Sequence, residues 1–176
     1  DRLETLYQEF SHYCAFADAY DSMADDGADR LSPTQLREVP DWAENLAIRD
    51  RRAEIKAQHG VVGERACFFT EGGYCTLFSE GMALAGRGGV DDMIARACAL
   101  VYEDEFGHMC KGIVGLDTGQ HSDADWALMT ELSVELAAMR IHMRNGQFSY
   151  PLSAERIAAI LAGDIEPVSF DFAKAE

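Results

Sequence analysis

The sequence predicts an all-α protein, on three observations. Apolar residues recur three and four positions apart rather than alternately. Prolines number only four, and the glycines gather in clusters that separate long periodic stretches. No strand-like alternation persists for long, and no internal period of 20–50 residues is present. Helices that are apolar along one stripe must bury it against one another, so the expected architecture is a helical bundle.

Taken in order, the first helix runs from about Arg2 to Met23, with Leu3, Leu6, Phe10, Tyr13, Phe16 and Tyr20 expected on its inward side. It stops in the acidic, glycine-containing stretch Asp25–Asp29. Ser32-Pro33 reads as an N-cap followed by proline at the first helical position, opening a second helix that reaches about Gln58 and bends at Pro40. The Arg49-Asp50-Arg51-Arg52 end of that helix is expected to be a solvated face. A third helix spans about Gly63 to Ala85, the tetrad Gly86-Arg87-Gly88-Gly89 breaks it, and a fourth follows from about Asp91 to Gly115. A fifth runs from about Asp123, capped by Ser122, to Met143, and a short sixth from roughly Ser153 to Ala162 precedes an irregular tail.

A length of 176 residues supports one domain with a sizeable core. Residues 1–115 are expected to form the main bundle, with further helices over 120–165 and a tail over 166–176. Fifteen basic against 31 acidic side chains give a net charge of −16, which argues against binding the phosphate backbone of nucleic acids. A content of 48% hydrophobic and 26% charged residues excludes wholesale disorder. No apolar run approaches the roughly 18–20 residues needed to span a membrane. The cysteines (Cys14, Cys67, Cys75, Cys98, Cys110) are odd in number and form no CxxC pair, so they read as reduced thiols of a cytoplasmic protein. No signal peptide is visible after Asp1.

Two helices carry residues that a plain core would not choose. Glu9-Phe10-Ser11-His12 and Glu105-Phe106-Gly107-His108 each place a carboxylate and an imidazole three residues apart, on one helical face. In the fourth helix that face also holds Cys98, Val101, Tyr102, Met109 and Gly112, so the pair is expected to be buried. Buried carboxylates cost several kcal/mol unless paired or bound to a metal. Either motif alone fits a salt-bridged helix pair as well as a metal site. Glu71, between Phe68 and Cys75/Phe78, adds a third inward carboxylate. Glu71 to Gly86 and Val90 to Glu105 are both 15 residues apart, arms of about 22 Å at 1.5 Å per residue. A hairpin turning at Gly86–Gly89 is therefore expected to bring Glu71 and Glu105 to one level.

Glu9-x-x-His12, Glu71 and Asp104-Glu105-x-x-His108-Met109 together resemble the metal-bearing helices of the ferritin-like di-iron carboxylate proteins. The Asp-Glu-x-x-His form is most similar to bacterial multicomponent monooxygenase hydroxylases and the small subunit of ribonucleotide reductase. The resemblance covers about residues 1–115. It implies a ferritin-like bundle in which Glu9, His12, Glu71, Glu105 and His108 ligate two non-haem irons, or a Mn/Fe pair, and Asp104 hydrogen-bonds a ligand histidine. It implies a di-iron oxidoreductase that activates dioxygen to hydroxylate or oxidise a small organic substrate. An external reductase would supply electrons, since no flavin fingerprint or iron–sulfur cysteine pattern is present. A homodimer is compatible with this reading.

The chain departs from the family's pattern in three places. No helix supplies the family's first glutamate, so a helix with an inward Glu is expected roughly 30 residues before Glu9. Phe16 stands where the reductase subunit usually carries a radical tyrosine; Tyr13 and Tyr20 read as core residues. Cys75, with Thr76 beside it, occupies the turn where the hydroxylases carry a threonine. Phe16, Gly72, Gly73, Cys75 and Thr76 are the candidate lining of a dioxygen and substrate pocket; for Gly72-Gly73 close helix packing is an equal alternative. Glu135 and His142, two turns apart on the fifth helix, are further candidate ligands, while His59 and His121 fall in expected loops without a role. Rival functions are a ferroxidase, iron-storage or peroxide-scavenging protein, a reductase-like radical-generating subunit, and a structural subunit with a vestigial site.

Overall fold

A computed structural model gives the fold over residues 2–24, 38–118, 120–148 and 150–170. The described residues are helical, with no strand among them: α1 (Arg2–Met23), α2 (Ala43–Phe69), α3 (Gly72–Met82), α4 (Gly89–Ile113), a 3-10 turn at Leu116–Thr118, α5 (Asp123–Gln147) and α6 (Ala154–Leu161). This is the all-α class that the spacing predicts. The expected stop at Asp25–Asp29 and the Ser32-Pro33 cap lie outside the described residues. None of the described helices is long and apolar enough to cross a membrane.

The chain divides into two compact units, one made of Asp1–Pro40 with Tyr74–Phe106 and the other of Asp41–Gly73 with Gly107–Glu176. In the first unit α3 and α4 run antiparallel. Gly81 packs against Cys98, and Cys75 Sγ lies 4.0 Å from the Tyr102 carbonyl. The connection needs glycine: Gly86, Gly88 and Gly89 have φ of 86°, 84° and 54°, which side-chain-bearing residues rarely adopt. Asp92 accepts a 2.7 Å hydrogen bond from Gly86 N and fastens the turn to the start of α4. Burial pushes the Cys98 thiol above its ordinary pKa, so it stays a small apolar group in this contact.

The expected inward stripe of α1 is corrected. Leu3, Leu6 and Phe10 are 76%, 66% and 58% exposed, and Phe16 and Tyr20 are also exposed. The buried positions are His12 and Ala19 instead. A helix carrying two apolar arcs is oriented by what its neighbours accept. Small Ala19 permits close approach, and His12 has a carboxylate partner waiting on α4.

In the second unit α2 turns back on itself at Gly60, whose φ of 52° and ψ of −128° leave the helical region. The arms 43–59 and 61–69 then pack together. An added Cβ on Gly63 would lie 2.5 Å from the Ile55 carbonyl oxygen, and Lys56 Nζ rests 5.4 Å above the Phe68 ring. The expected boundary between the second and third helices at Gly60–Gly63 thus falls at this bend. Ile55, Ala66 and Cys67 of α2 join Leu132 and Leu136 of α5 in a core flanked by Leu128 and Met139. The Ser122 cap of α5 is a full capping box. Ser122 Oγ accepts from Asp125 N, and Ser122 N donates to Asp125 Oδ2 at 2.8 Å, which also holds the Asp125 carboxyl below the usual range.

Two glycine substitutions should therefore move stability in opposite directions. Gly63→Ala drives a methyl into a backbone oxygen that cannot step aside, and is expected to cost about 1–3 kcal/mol. Gly107→Ala, mid-helix with nothing within 4 Å of the new Cβ, is expected to gain up to about 1 kcal/mol. Urea denaturation of the two variants beside the parent measures both.

Candidate metal centre

Glu71 stands at a break between helices. The run of α2 ends at Phe69, and residues 70 and 71 turn with short-range bonds, Glu71 N to Phe68 O at 3.0 Å and Gly73 N to Thr70 O at 3.3 Å. The carbonyls released by such a break need donors when buried. Thr70 Oγ1 donates back to Cys67 O at 2.8 Å, and Arg140 Nη1 of α5, itself buried, donates to Thr70 O at 2.9 Å. The third helix of the sequence reading, continuous from Gly63 to Ala85, is corrected accordingly. It is two helices with Glu71 at the junction.

The break leaves Glu71 only 8% exposed. A salt bridge from Arg52 Nη2 on α2 reaches its Oε1. Its Oε2 is buried and accepts no hydrogen bond. His108 Nδ1 on α4 lies 3.8 Å from that oxygen, too far for a hydrogen bond. Two coordination bonds of about 2.1 Å span up to about 4.2 Å, so this gap suits a cation held between oxygen and nitrogen. Glu105, half-buried, stands one turn before His108 on the same helix. Gly72 faces Met109, whose Sδ would meet an added Cβ at 2.5 Å. Glu71 thus faces His108, with Gly72 against Met109 beside them.

The first Glu-x-x-His motif has its own partners. His12 is 8% exposed, and its Nε2 lies 2.8 Å from Asp104 Oδ2 on α4. Gln8 Nε2 donates to the other oxygen, Asp104 Oδ1, at 2.8 Å. A carboxylate on Nε2 selects the tautomer with the proton there and turns the Nδ1 lone pair outward. Glu9 Oε2 is 4.0 Å from His12 Nδ1, and the Glu9 side chain is 64% exposed. In both motifs Nδ1 is the nitrogen that faces a carboxylate oxygen across a gap of about 4 Å.

The other candidates are placed as follows. Glu135 accepts bonds from Arg51 Nε at 2.6 Å and Nη2 at 3.0 Å, and His142 is exposed. This bidentate bond from Arg51 holds the Glu135 carboxyl below the usual range. Of the pocket candidates, Gly72 is filled against Met109, Cys75 is fully buried, and Gly73 and Thr76 are exposed. Phe16, 37% exposed, has its ring 6.2 Å from that of Phe78. Close packing is thus the role of Gly72. The Arg49–Arg52 cluster is not one solvated face: Arg49 pairs with Asp50 at the surface, whereas Arg51 and Arg52 turn inward to Glu135 and Glu71. Arg52, Arg140 and Gln8 were not expected at the site. Their helical offsets give no clue, because each answers a polar group supplied by a distant helix.

The Arg51–Glu135 pair generates a pH prediction. The folded carboxyl titrates below its unfolded value of about 4.5, so its contribution is present above that value and is lost as pH falls through the folded pKa. Glu135→Gln should lower the melting temperature near neutral pH by an amount equivalent to up to about 1 kcal/mol, in line with a partly exposed pair. The two melting curves should converge as pH falls below that unfolded value through the lowered folded pKa. Among known proteins, no family model matches the chain, no curated protein is similar to it and no solved structure matches it.

Proposed function

We propose that this chain is a non-haem di-iron oxidoreductase of the ferritin-like type. Glu9 and His12, Glu71, and Glu105 and His108 would hold the metal pair, with Mn/Fe as the alternative to Fe/Fe. The observation that carries the reading is the buried, unbonded Oε2 of Glu71 facing His108 Nδ1 at 3.8 Å. An orphaned carboxylate oxygen in a protein interior is costly, and a cation relieves that cost. The donor set fits the group: carboxylate oxygens with imidazole nitrogens suit iron and manganese, and the buried cysteines are not part of it.

Bound irons would supply the redox chemistry that activates dioxygen toward a small organic substrate, with electrons from an external reductase. The protein's own part is positional. Asp104 holds His12 Nε2, which would leave Nδ1 as the nitrogen turned toward a metal. Gln8 in turn fixes Asp104. The helix break aims Glu71 at His108 instead of leaving it on the regular face of a continuous helix. Met109, itself buried, packs against Gly72 beside Glu71.

The test is metal content per chain, followed by near-ultraviolet absorption after ferrous protein meets air. Two irons per chain and a new charge-transfer band support the reading. Colourless protein without bound iron overturns it, and iron taken up and mineralised without substrate turnover selects the ferroxidase alternative. Glu105→Ala should lose at least one metal, whereas Glu103→Ala, exposed two residues away, should keep the full content. Equal loss from both would mean general acidity rather than a site.

A further inference from the structure

The buried end of Glu71 meets two partners of unlike kind, and the arginine has the firmer hold. Arg52 forms a direct salt bridge to Oε1, while Oε2 faces His108 across a gap with no hydrogen bond. Glu71 and Arg52 are held from several sides. The Gly60 bend lays the arm of α2 that carries Arg52 beside the arm that leads to Glu71. Cys67 Sγ lies 3.8 Å from the Arg52 carbonyl and ties those arms together. The guanidinium side chain is 20% exposed and the carboxylate side chain 11%, so Arg52 is the more solvent-accessible partner.

We propose that Arg52 is the internal counter-ion of this site: its guanidinium neutralises Glu71 while no metal is bound, and it opposes the arrival of a cation at that carboxylate. The inference rests on the metal-binding reading above and adds a regulator to it. A buried carboxylate requires a positive partner, and Arg52 supplies one in the metal-free protein. When a divalent cation occupies Oε2, a single carboxylate has to serve two positive groups at close range. Like charges so near one another in a water-poor setting repel strongly and are little screened by salt. Metal affinity is therefore set below what the donor set alone would give. Partial exposure lets the Arg52 head swing outward as the cation enters, its stem still packed on α2.

The experiment is a Co(II) titration of the full chain, following both the visible bands of bound Co(II) and heat by calorimetry. Parent protein is compared with Arg52→Gln, Arg52→Met, Arg52→Lys, Glu71→Gln and His108→Ala. Removing the guanidinium charge should tighten Co(II) binding by about tenfold or more in the two neutral variants. The same variants should melt lower than the parent without metal and gain more from added Co(II). Arg52→Lys keeps the charge but loses the planar fork, so it should bind a fewfold more tightly than the parent and decides the matter if the neutral variants do not fold. Unchanged or weakened affinity in the variants that fold overturns the role of Arg52. If parent Co(II) binding is lost in Glu71→Gln and His108→Ala while the Arg52 variants match the parent, only this inference fails. If neither the parent nor any Arg52 variant binds Co(II), the metal-site reading fails with it.

Discussion

A single carboxylate placed in a protein interior imposes most of what is unusual in the second unit. Glu71 is 8% exposed at the joint between α2 and α3. A regular helix through that joint would leave no broken carbonyl to satisfy and would spend no arginine on it. The break instead requires a donor to Thr70 O, which Arg140 of α5 provides from a buried position. The carboxylate requires a positive neighbour, which Arg52 provides from the other arm of α2. Both arginines constrain the helices that carry them. The Ile55, Ala66, Cys67, Leu132 and Leu136 core lies between the same two helices. Apolar burial supplies the larger stabilisation, but it is indifferent to small shifts along a helix, whereas hydrogen-bond geometry is not.

Close approach at glycine does the corresponding work for packing. Gly63 sits against the Ile55 carbonyl, Gly112 against the Phe68 and Phe69 side chains, and Gly72 against Met109. Each is a position where even a methyl group would force a neighbour to move. They lie along the elements that lead to Glu71 and His108, so the register between those residues is fixed by contacts rather than by the turn at Gly86–Gly89. Counting residues from the turn places Glu71 level with Glu105. The count assumes two unbroken helices, and the break at residues 70–71 removes that assumption.

The helices themselves were legible because their signals are local. Ser122 with Asp125 announces the start of α5, Ser153 that of α6, and the glycine clusters mark the bend at Gly60 and the turn before α4. The shared faces of the two Glu-x-x-His pairs were legible for a similar reason: a glutamate and a histidine three residues apart share a face in any helix, wherever it packs. What the sequence conceals is which arc of an ambiguous helix turns inward. On α1 the large apolar residues Leu3, Leu6 and Phe10 suggest one arc, yet His12 and Ala19 are the buried ones. A buried histidine is an improbable choice until Asp104 is seen 2.8 Å away. Arg51 and Arg52 mislead in the same way, because a run of charges reads as solvated when the carboxylates that pair with it lie 84 and 19 residues further along.

The charge balance sharpens what such inward-paired arginines mean. With 15 basic and 31 acidic side chains, cations are scarce, and the surface does not lack carboxylates to pair with them. Arg51, Arg52 and Arg140 are nevertheless directed inward, to Glu135, Glu71 and the Thr70 carbonyl. Their three tasks differ. Arg51 closes a bidentate pair, with no polar oxygen left over on Glu135. Arg140 completes a backbone bond that the helix break would otherwise leave open. Arg52 alone leaves its partner half satisfied, with one oxygen of Glu71 bonded and the other facing an imidazole nitrogen across a gap. A purely structural ion pair would be expected to close both oxygens, as the neighbouring Arg51 does on Glu135. The pairing at Glu71 is unfinished where that at Glu135 is closed, and under the proposed metal site the remaining oxygen of Glu71 would be the ligand atom.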